Sequence, residues 1–289
     1  NFVIRSEFID TDYLPPENRI TAVMFDKSRK ILVTCAAYPA LWLEGEVDGP
    51  RGITHQLPIV GIHYQPDFDQ LLSVDTQANF TIWDYSTGVR KTTRTASSDE
   101  LSNAAIDNSG RRVITATFSG EVQVWNTSSG GWIASLEQAT PPEIDPSIKQ
   151  NLGSSNSNLL NQLTVLEHFT LNGKGLLVTA GLSKVVTVYR EIEPSEFELL
   201  NHFAGHKGEV TCAVLDHRGW IITSSDKGEI IEWPIDMAAK ARRFQLIDDT
   251  PIEFMSIIDH FLFVADSDGC INVFHLPGLE DIFYTKAHT

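Results

Sequence analysis

Apolar and polar residues alternate along most of this chain in short runs, each closed by a cluster of glycine, asparagine, aspartate or serine. The stretch from Leu101 to Leu136 shows the pattern most clearly. Leu101 to Ile106 reads as one strand, Asp107-Asn108-Ser109-Gly110 as a tight turn, and Arg112 to Ala116 as a second strand. Phe118-Ser119-Gly120 reverses the chain again. Glu121-Val122-Gln123-Val124-Trp125 then alternates polar with apolar, as a strand with one buried face does, and a polar turn leads into Trp132 to Leu136. The pattern predicts four antiparallel strands joined by hairpins.

The same unit recurs. Trp42, Trp83, Trp125, Tyr189, Trp233 and Phe274 each close a third run, at spacings of 41, 42, 64, 44 and 41 residues. Five of the six fall in step once the long gap is given one insertion of about 22 residues. Around these aromatics lie runs from Ile20 to Trp42, Gly61 to Trp83, Leu163 to Tyr189, Val210 to Trp233 and Phe254 to Phe274. One such unit cannot bury both faces of its sheet, so the units must stack on one another. A period near 42 residues with four strands per unit is that of a β-propeller blade. The expectation is an all-β propeller over residues 20–289, with six visible four-stranded blades. Lys286-Ala287-His288-Thr289 parallels Ala204-Gly205-His206-Lys207, which precedes the fifth unit, and so predicts the opening of a seventh blade; a complete six-bladed ring is the alternative.

Residues 1–19 precede the first unit, and Phe2 to Phe8 could supply a strand that closes the ring. The insertion falls at about residues 141–162. Its Pro141-Pro142, its Asp145-Pro146 and the polar run from Gly153 to Asn158 lack alternation and predict an exposed loop. One short helix is expected at Asp236 to Phe244, where Ala, Lys and Arg predominate.

Composition narrows the functional classes. With 22 basic and 38 acidic residues the net charge is −16, which repels nucleic acid and anionic membrane and favours basic or amphipathic protein partners. Cys35, Cys212 and Cys270 are far apart and show no zinc or redox spacing, so each reads as a small buried apolar side chain. No apolar run approaches the roughly 18 residues of a membrane span, and no signal peptide is visible. These features fit a reducing, cytoplasmic compartment.

Candidate chemistry is sparse. His206, Thr223 and Asp226 invite comparison with a hydroxyl–imidazole–carboxylate triad, but no GxSxG elbow or oxyanion loop accompanies them. Asp266-Ser267-Asp268-Gly269 resembles the start of a calcium loop, yet a strand follows at once, so it reads as a hairpin turn. The nine histidines show no metal-ligand spacing. The expectation is no catalytic residue, no metal and no cofactor.

Trp83-Asp84, the repeat length and the turn-strand phrases together resemble the WD-repeat family of β-propellers. In that family a histidine before the first strand, a hydroxyl on the second, an aspartate in the next turn and a tryptophan on the third form a buried hydrogen-bonded set. The resemblance therefore implies that His206, Thr223, Asp226 and Trp233 hold the fifth blade together. The match is imperfect, since the family's aspartate falls six residues before the tryptophan, where this chain has Lys227. Blade six has Asp268 at that offset but Val264 in the hydroxyl position, while blades two and three keep Ser73 and Thr115 but carry Gln77 and Ser119 in the turn. The phrases from Pro58 to Val74, from Asp107 to Asn126 and from Gly228 to Trp233 are similar to a propeller of the large EF-hand-containing WD-repeat proteins of cilia and flagella. That resemblance implies a non-enzymatic protein–protein interaction scaffold in the axoneme, with axonemal or microtubule-associated partners. A module that reads a peptide motif within a cytosolic complex is the alternative.

Overall fold

A computed structural model describes residues 57–65, 68–84, 90–91, 100–136, 161–236, 239–246 and 249–287, and, as backbone alone, 22–26, 31–35, 39–43, 46–47 and 92–95. The expected N-terminal segment and nearly all of the expected 141–162 loop lie outside these residues. The described chain divides into two compact units, residues 1–113 with 125–132, and residues 114–124 with 133–289.

The first unit contains sheet β1 (Ala22–Asp26), β2 (Ile31–Cys35), β3 (Pro39–Leu43) and β4 (Glu46–Val47), paired in sequence order. It also contains the blade β5 (Ile59–Gln65), β6 (Gln70–Asp75), β7 (Asn79–Asp84) and β8 (Arg90–Thr95). The next sheet, β9 (Leu101–Ile106), β10 (Arg112–Thr117), β11 (Val122–Asn126) and β12 (Trp132–Leu136), is divided between the units. Leu72, Val74, Phe80 and Ile82 pack with Leu101, Ala104, Ile106, Val113 and Trp125 into the core of the first unit. Gly61 permits this approach, because a Cβ there would lie 2.8 Å from the Ala104 carbonyl oxygen.

The second unit holds three whole blades. They are β13 (Leu163–Leu171) to β16 (Glu196–Ala204) through β14 (Lys174–Gly181) and β15 (Val185–Glu193); β17 (Val210–Leu215) to β20 (Arg242–Gln245) through β18 (Trp220–Ser225) and β19 (Glu229–Pro234); and β21 (Ile252–Ile258) to β24 (Glu280–Lys286) through β22 (Phe261–Asp266) and β23 (Cys270–His275). Period-two alternation decides how they stack. Ile221, Ile231 and Trp233 point from the middle blade toward Val178, Val186 and Val188 of the preceding one. Ile222 and Ile230, one residue over, face Met255, Leu262, Val264 and Phe274 of the next. Burying each such side chain stabilises the stack by about 1.5–3 kcal/mol.

Two expectations are corrected here. Five full four-stranded blades, β5 to β24, stand where six with a seventh to follow were expected; the β1–β4 sheet ahead of them ends in a two-residue strand. Among the described residues no strand belongs to a seventh blade. The resemblance of Lys286–Thr289 to Ala204–Lys207 arises because both phrases leave a fourth strand: Ala204 ends β16, and Lys286 ends β24 opposite Cys270. The helix expected over Asp236 to Phe244 is likewise replaced, from Arg242 onward, by β20. Ladder bonds of Arg242, Arg243 and Phe244 to Glu232, Ile231 and Ile230 outweigh the local helix propensity of the segment.

Candidate functional site

The aromatics at Trp42, Trp83, Trp125, Tyr189, Trp233 and Phe274 lie on β3, β7, β11, β15, β19 and β23, the third strand of each sheet. Trp83, Trp125, Tyr189, Trp233 and Phe274 are buried. Two of the tryptophans use their ring nitrogen alike. Trp83 Nε1 donates to Ser73 Oγ at 2.8 Å, and Trp233 Nε1 to Thr223 Oγ1 at 2.7 Å. Register makes this possible, since Ser73 and Thr223 sit on the neighbouring second strand two residues along from the position opposite the ring.

His206 precedes β17 and lies against the same hydroxyl, its Nε2 2.7 Å from Thr223 Oγ1. Trp233 in turn stacks on Phe203 at 5.3 Å and meets the His206 ring edge-on at 6.0 Å. Thr223 is fully enclosed. With the indole N–H donating to Oγ1, the hydroxyl is free to donate to an unprotonated His206 Nε2, which leaves the imidazole proton on Nδ1. On that side stands the carboxylate of Glu229, its Oε2 3.4 Å from Nδ1.

Asp226 is therefore corrected as a member of the set. It occupies the β18–β19 turn, one Oδ2 3.5 Å from exposed Lys227 Nζ, with its other oxygen against Gly208. Glu229 takes the role because Gly228, at φ +68°, completes the turn in the left-handed region and delivers the next residue inward. Glu229 also accepts the Lys207 amide at 2.7 Å and lies 3.4 Å from Arg243 Nη1. Desolvation alone would raise its carboxyl, but the Lys207 amide, His206 and Arg243 together hold it below the ordinary glutamate range. The His206 imidazole is pushed down to about 4, mainly by desolvation and further by Arg243, against the opposing pull of Glu229. It is neutral at physiological pH.

A second polar set braces the opposite end of this blade. Glu232, with no exposed surface, lies 3.2 Å from Arg218 Nη2 and 3.4 Å from Arg242 Nη1. Both guanidinium groups also lie over the Trp220 ring, at 5.4 and 4.9 Å. Arg218 pairs with Asp216, whose Oδ1 accepts the Arg218 and Trp220 amides.

Turn caps also fall where sequence reading did not look. The side chain eight residues before the third-strand aromatic, rather than six, closes the second hairpin in four blades. Asp75 accepts the Gln77 and Asn79 amides, Thr117 the Glu121 amide, Ser225 those of Lys227 and Glu229, and Asp266 those of Asp268 and Cys270. Asp, Thr, Ser and Asp at one fixed offset was the available signal. Asp266 thus spends a carboxylate oxygen on its own turn, as a hairpin requires.

Glu167, on β13, was also missed. Its side chain retains solvent contact, yet surrounding protein desolvates it enough to lift its carboxyl to about 7, and the burial that pushes the Cys212 thiol up to about 11 is reinforced by the Glu167 charge. Cys212 and Cys270 are free thiols. Among the described residues no group of three or more His, Cys, Asp or Glu is placed to hold a metal ion.

No protein-family model matches the chain. It is 21% identical over 222 residues to the "WD repeat-containing protein on Y chromosome" of Drosophila mojavensis and, to the same extent, to that of Drosophila virilis. Each match covers 73% of this chain, and the chain spans only 16% and 17% of the length of those relatives. The crystal structure of RRP9 WD40 repeats superimposes with a TM-score of 0.64 at 15% identity, covering 81% of this chain and 64% of that one. Repeated four-stranded blades, third-strand aromatics and this superposition agree that the chain has the fold of a WD40-repeat β-propeller.

Proposed function

We propose that this chain is a non-enzymatic protein–protein interaction scaffold and a structural component of the ciliary or flagellar axoneme, acting on axonemal or microtubule-associated proteins from the cytoplasmic side. One observation carries the non-catalytic part. Thr223, the hydroxyl of the triad-like set, is enclosed, and it is already bonded to both the Trp233 indole and the His206 ring. A nucleophile must reach substrate and lose its proton to a base, and neither fits a hydroxyl that accepts an indole N–H inside a blade. WD40 propellers generally bind other proteins, here expected through exposed loops and rims, and a charge of −16 favours basic ones. Support for the axonemal part is the resemblance of the Pro58–Val74, Asp107–Asn126 and Gly228–Trp233 phrases.

The test is sedimentation of the purified chain with detergent-extracted axonemes. Saturable pelleting is the expected result; pelleting that rises linearly with concentration contradicts the axonemal role.

A further inference from the structure

The hairpin that joins β13 to β14 carries the only Asn-Gly pair of the sequence, Asn172-Gly173. Leu171 pairs with Lys174, so these two residues are the whole loop, and both have positive φ, 52° and 78°. That is a type I′ turn, closed by the flanking pair. Among the described residues neither the Gly173 amide nor the Asn172 side chain makes a hydrogen bond, and a Cβ built on Gly173 would meet nothing within 4 Å. Other asparagines are engaged. Asn79 Nδ2 donates to Asp75, Asn126 Oδ1 accepts the Ser128 and Ser129 amides, and Asn201 Nδ2 donates to the Ile235 carbonyl.

Glycine adds the freedom that decides the chemistry here. Type I′ and type II′ turns both join antiparallel strands through two residues and both begin at φ near +60°, so a flip of the central peptide converts one into the other. The flip takes ψ of the first residue from about +30° to about −120° and φ of the second from about +90° to about −80°. Glycine accepts either sign at the second position. The Leu171–Lys174 pair stays closed, and Gly173 gives up no contact. At ψ near −120° the Gly173 nitrogen eclipses the Asn172 Cβ, which brings it within reach of the side-chain Cγ.

We propose that Asn172-Gly173 is a self-modifying site, at which the folded chain deamidates through its own backbone and lengthens the β13–β14 tip. The Gly173 nitrogen, its proton given to solvent base, bonds to Asn172 Cγ, and Nδ2 leaves as ammonia. Water then opens the cyclic imide. Attack at Cγ yields an ordinary aspartyl residue; attack at the backbone carbonyl leaves an isoaspartyl linkage that runs through Cβ and Cγ and adds one backbone atom. One water is consumed, one ammonia released and one carboxylate gained, with no oxidant or reductant. The reaction is intramolecular and requires only water at the tip. The longer tip cannot hold Leu171 opposite Lys174, and Leu171 lies against the β17–β18 turn, its Cδ2 3.0 Å from where a Cβ on Gly219 would stand. The site is independent of the scaffold reading.

The test is incubation of the purified chain at pH 8, folded and, in parallel, unfolded in urea, with peptide mass spectrometry to locate each amide-to-acid exchange. In the folded chain Asn172 should convert at least threefold faster than every other asparagine, at a rate within tenfold of the unfolded one, and give both aspartyl and isoaspartyl products. Gly173→Ala, which puts a Cβ beside the attacking nitrogen, should slow conversion at least tenfold. Hydrogen exchange over β13–β14 should be at least threefold faster in the isoaspartyl fraction than in Asn172→Asp, whose normal backbone keeps a two-residue turn. Conversion no faster at Asn172 than elsewhere, a folded rate more than tenfold below the unfolded one, undiminished conversion in Gly173→Ala, or equal exchange in the two products would each overturn the proposal.

Discussion

Replacing His206 by alanine should destabilise the protein at neutral pH and do so much less in mild acid. The imidazole sits between Thr223 Oγ1 at 2.7 Å and Glu229 Oε2 at 3.4 Å, so its loss leaves a buried hydroxyl and carboxylate short of a partner. Such losses cost about 1–3 kcal/mol. The pH dependence follows from the depressed pKa. His206 protonates near 6.5 in the unfolded chain but only near 4 in the folded one, so between those values the unfolded state binds more protons. The parent therefore loses stability as pH falls from 6.5 toward 4, by about 2 kcal/mol at pH 5. The alanine variant lacks this loss. Urea unfolding of both proteins at pH 7.5 and pH 5 reads the difference directly, because titration of every other group common to them largely cancels. The gap between parent and variant should shrink by about 2 kcal/mol on going to pH 5. A gap that is constant with pH, or that widens in acid, would show that the ring is not held neutral and would refute the reasoning.

Further outcomes follow from other residues. Arg218→Ala leaves Glu232 enclosed with only Arg242 beside it and should lower stability by about 3 kcal/mol in urea unfolding. Gly61→Ala drives a Cβ to 2.8 Å from the Ala104 carbonyl oxygen, and calorimetry should show a lower melting temperature, with a cost of about 1–3 kcal/mol. Glu167 has a raised carboxyl pKa, so the folded state holds its proton to higher pH and stability falls as pH rises from 4.5 to about 7. Glu167→Gln should therefore raise the melting temperature at pH 8 and leave it nearly unchanged at pH 4.

Strand order, turns and third-strand aromatics were legible because period-two alternation and turn residues act locally, within one hairpin. The count of blades was not, since the phrase around Lys286 is read equally as an exit or an entrance until pairing with Cys270 is seen. The helix expected near Ala239 failed for the same reason: propensity is local, while the ladder that captures Arg242–Gln245 belongs to β19. In the site, His206, Thr223 and Trp233 were reached through the resemblance to WD-repeat blades, and the structure joins them by hydrogen bonds. Glu229 was not, because the register of a turn decides which of Asp226 and Glu229 points inward, and that register is set by the positive φ of Gly228.

The account's central claim is that the Thr223 hydroxyl serves the blade and not a reaction. Thr223→Val, nearly isosteric, tests it most directly by chemical unfolding at pH 7.5. Trp233 Nε1 and His206 Nε2 would both lose their shared partner inside the blade, and the account predicts a loss of about 1–3 kcal/mol. A variant as stable as the parent would contradict it, and one that had also lost a measurable hydrolytic activity would replace it with a catalytic reading.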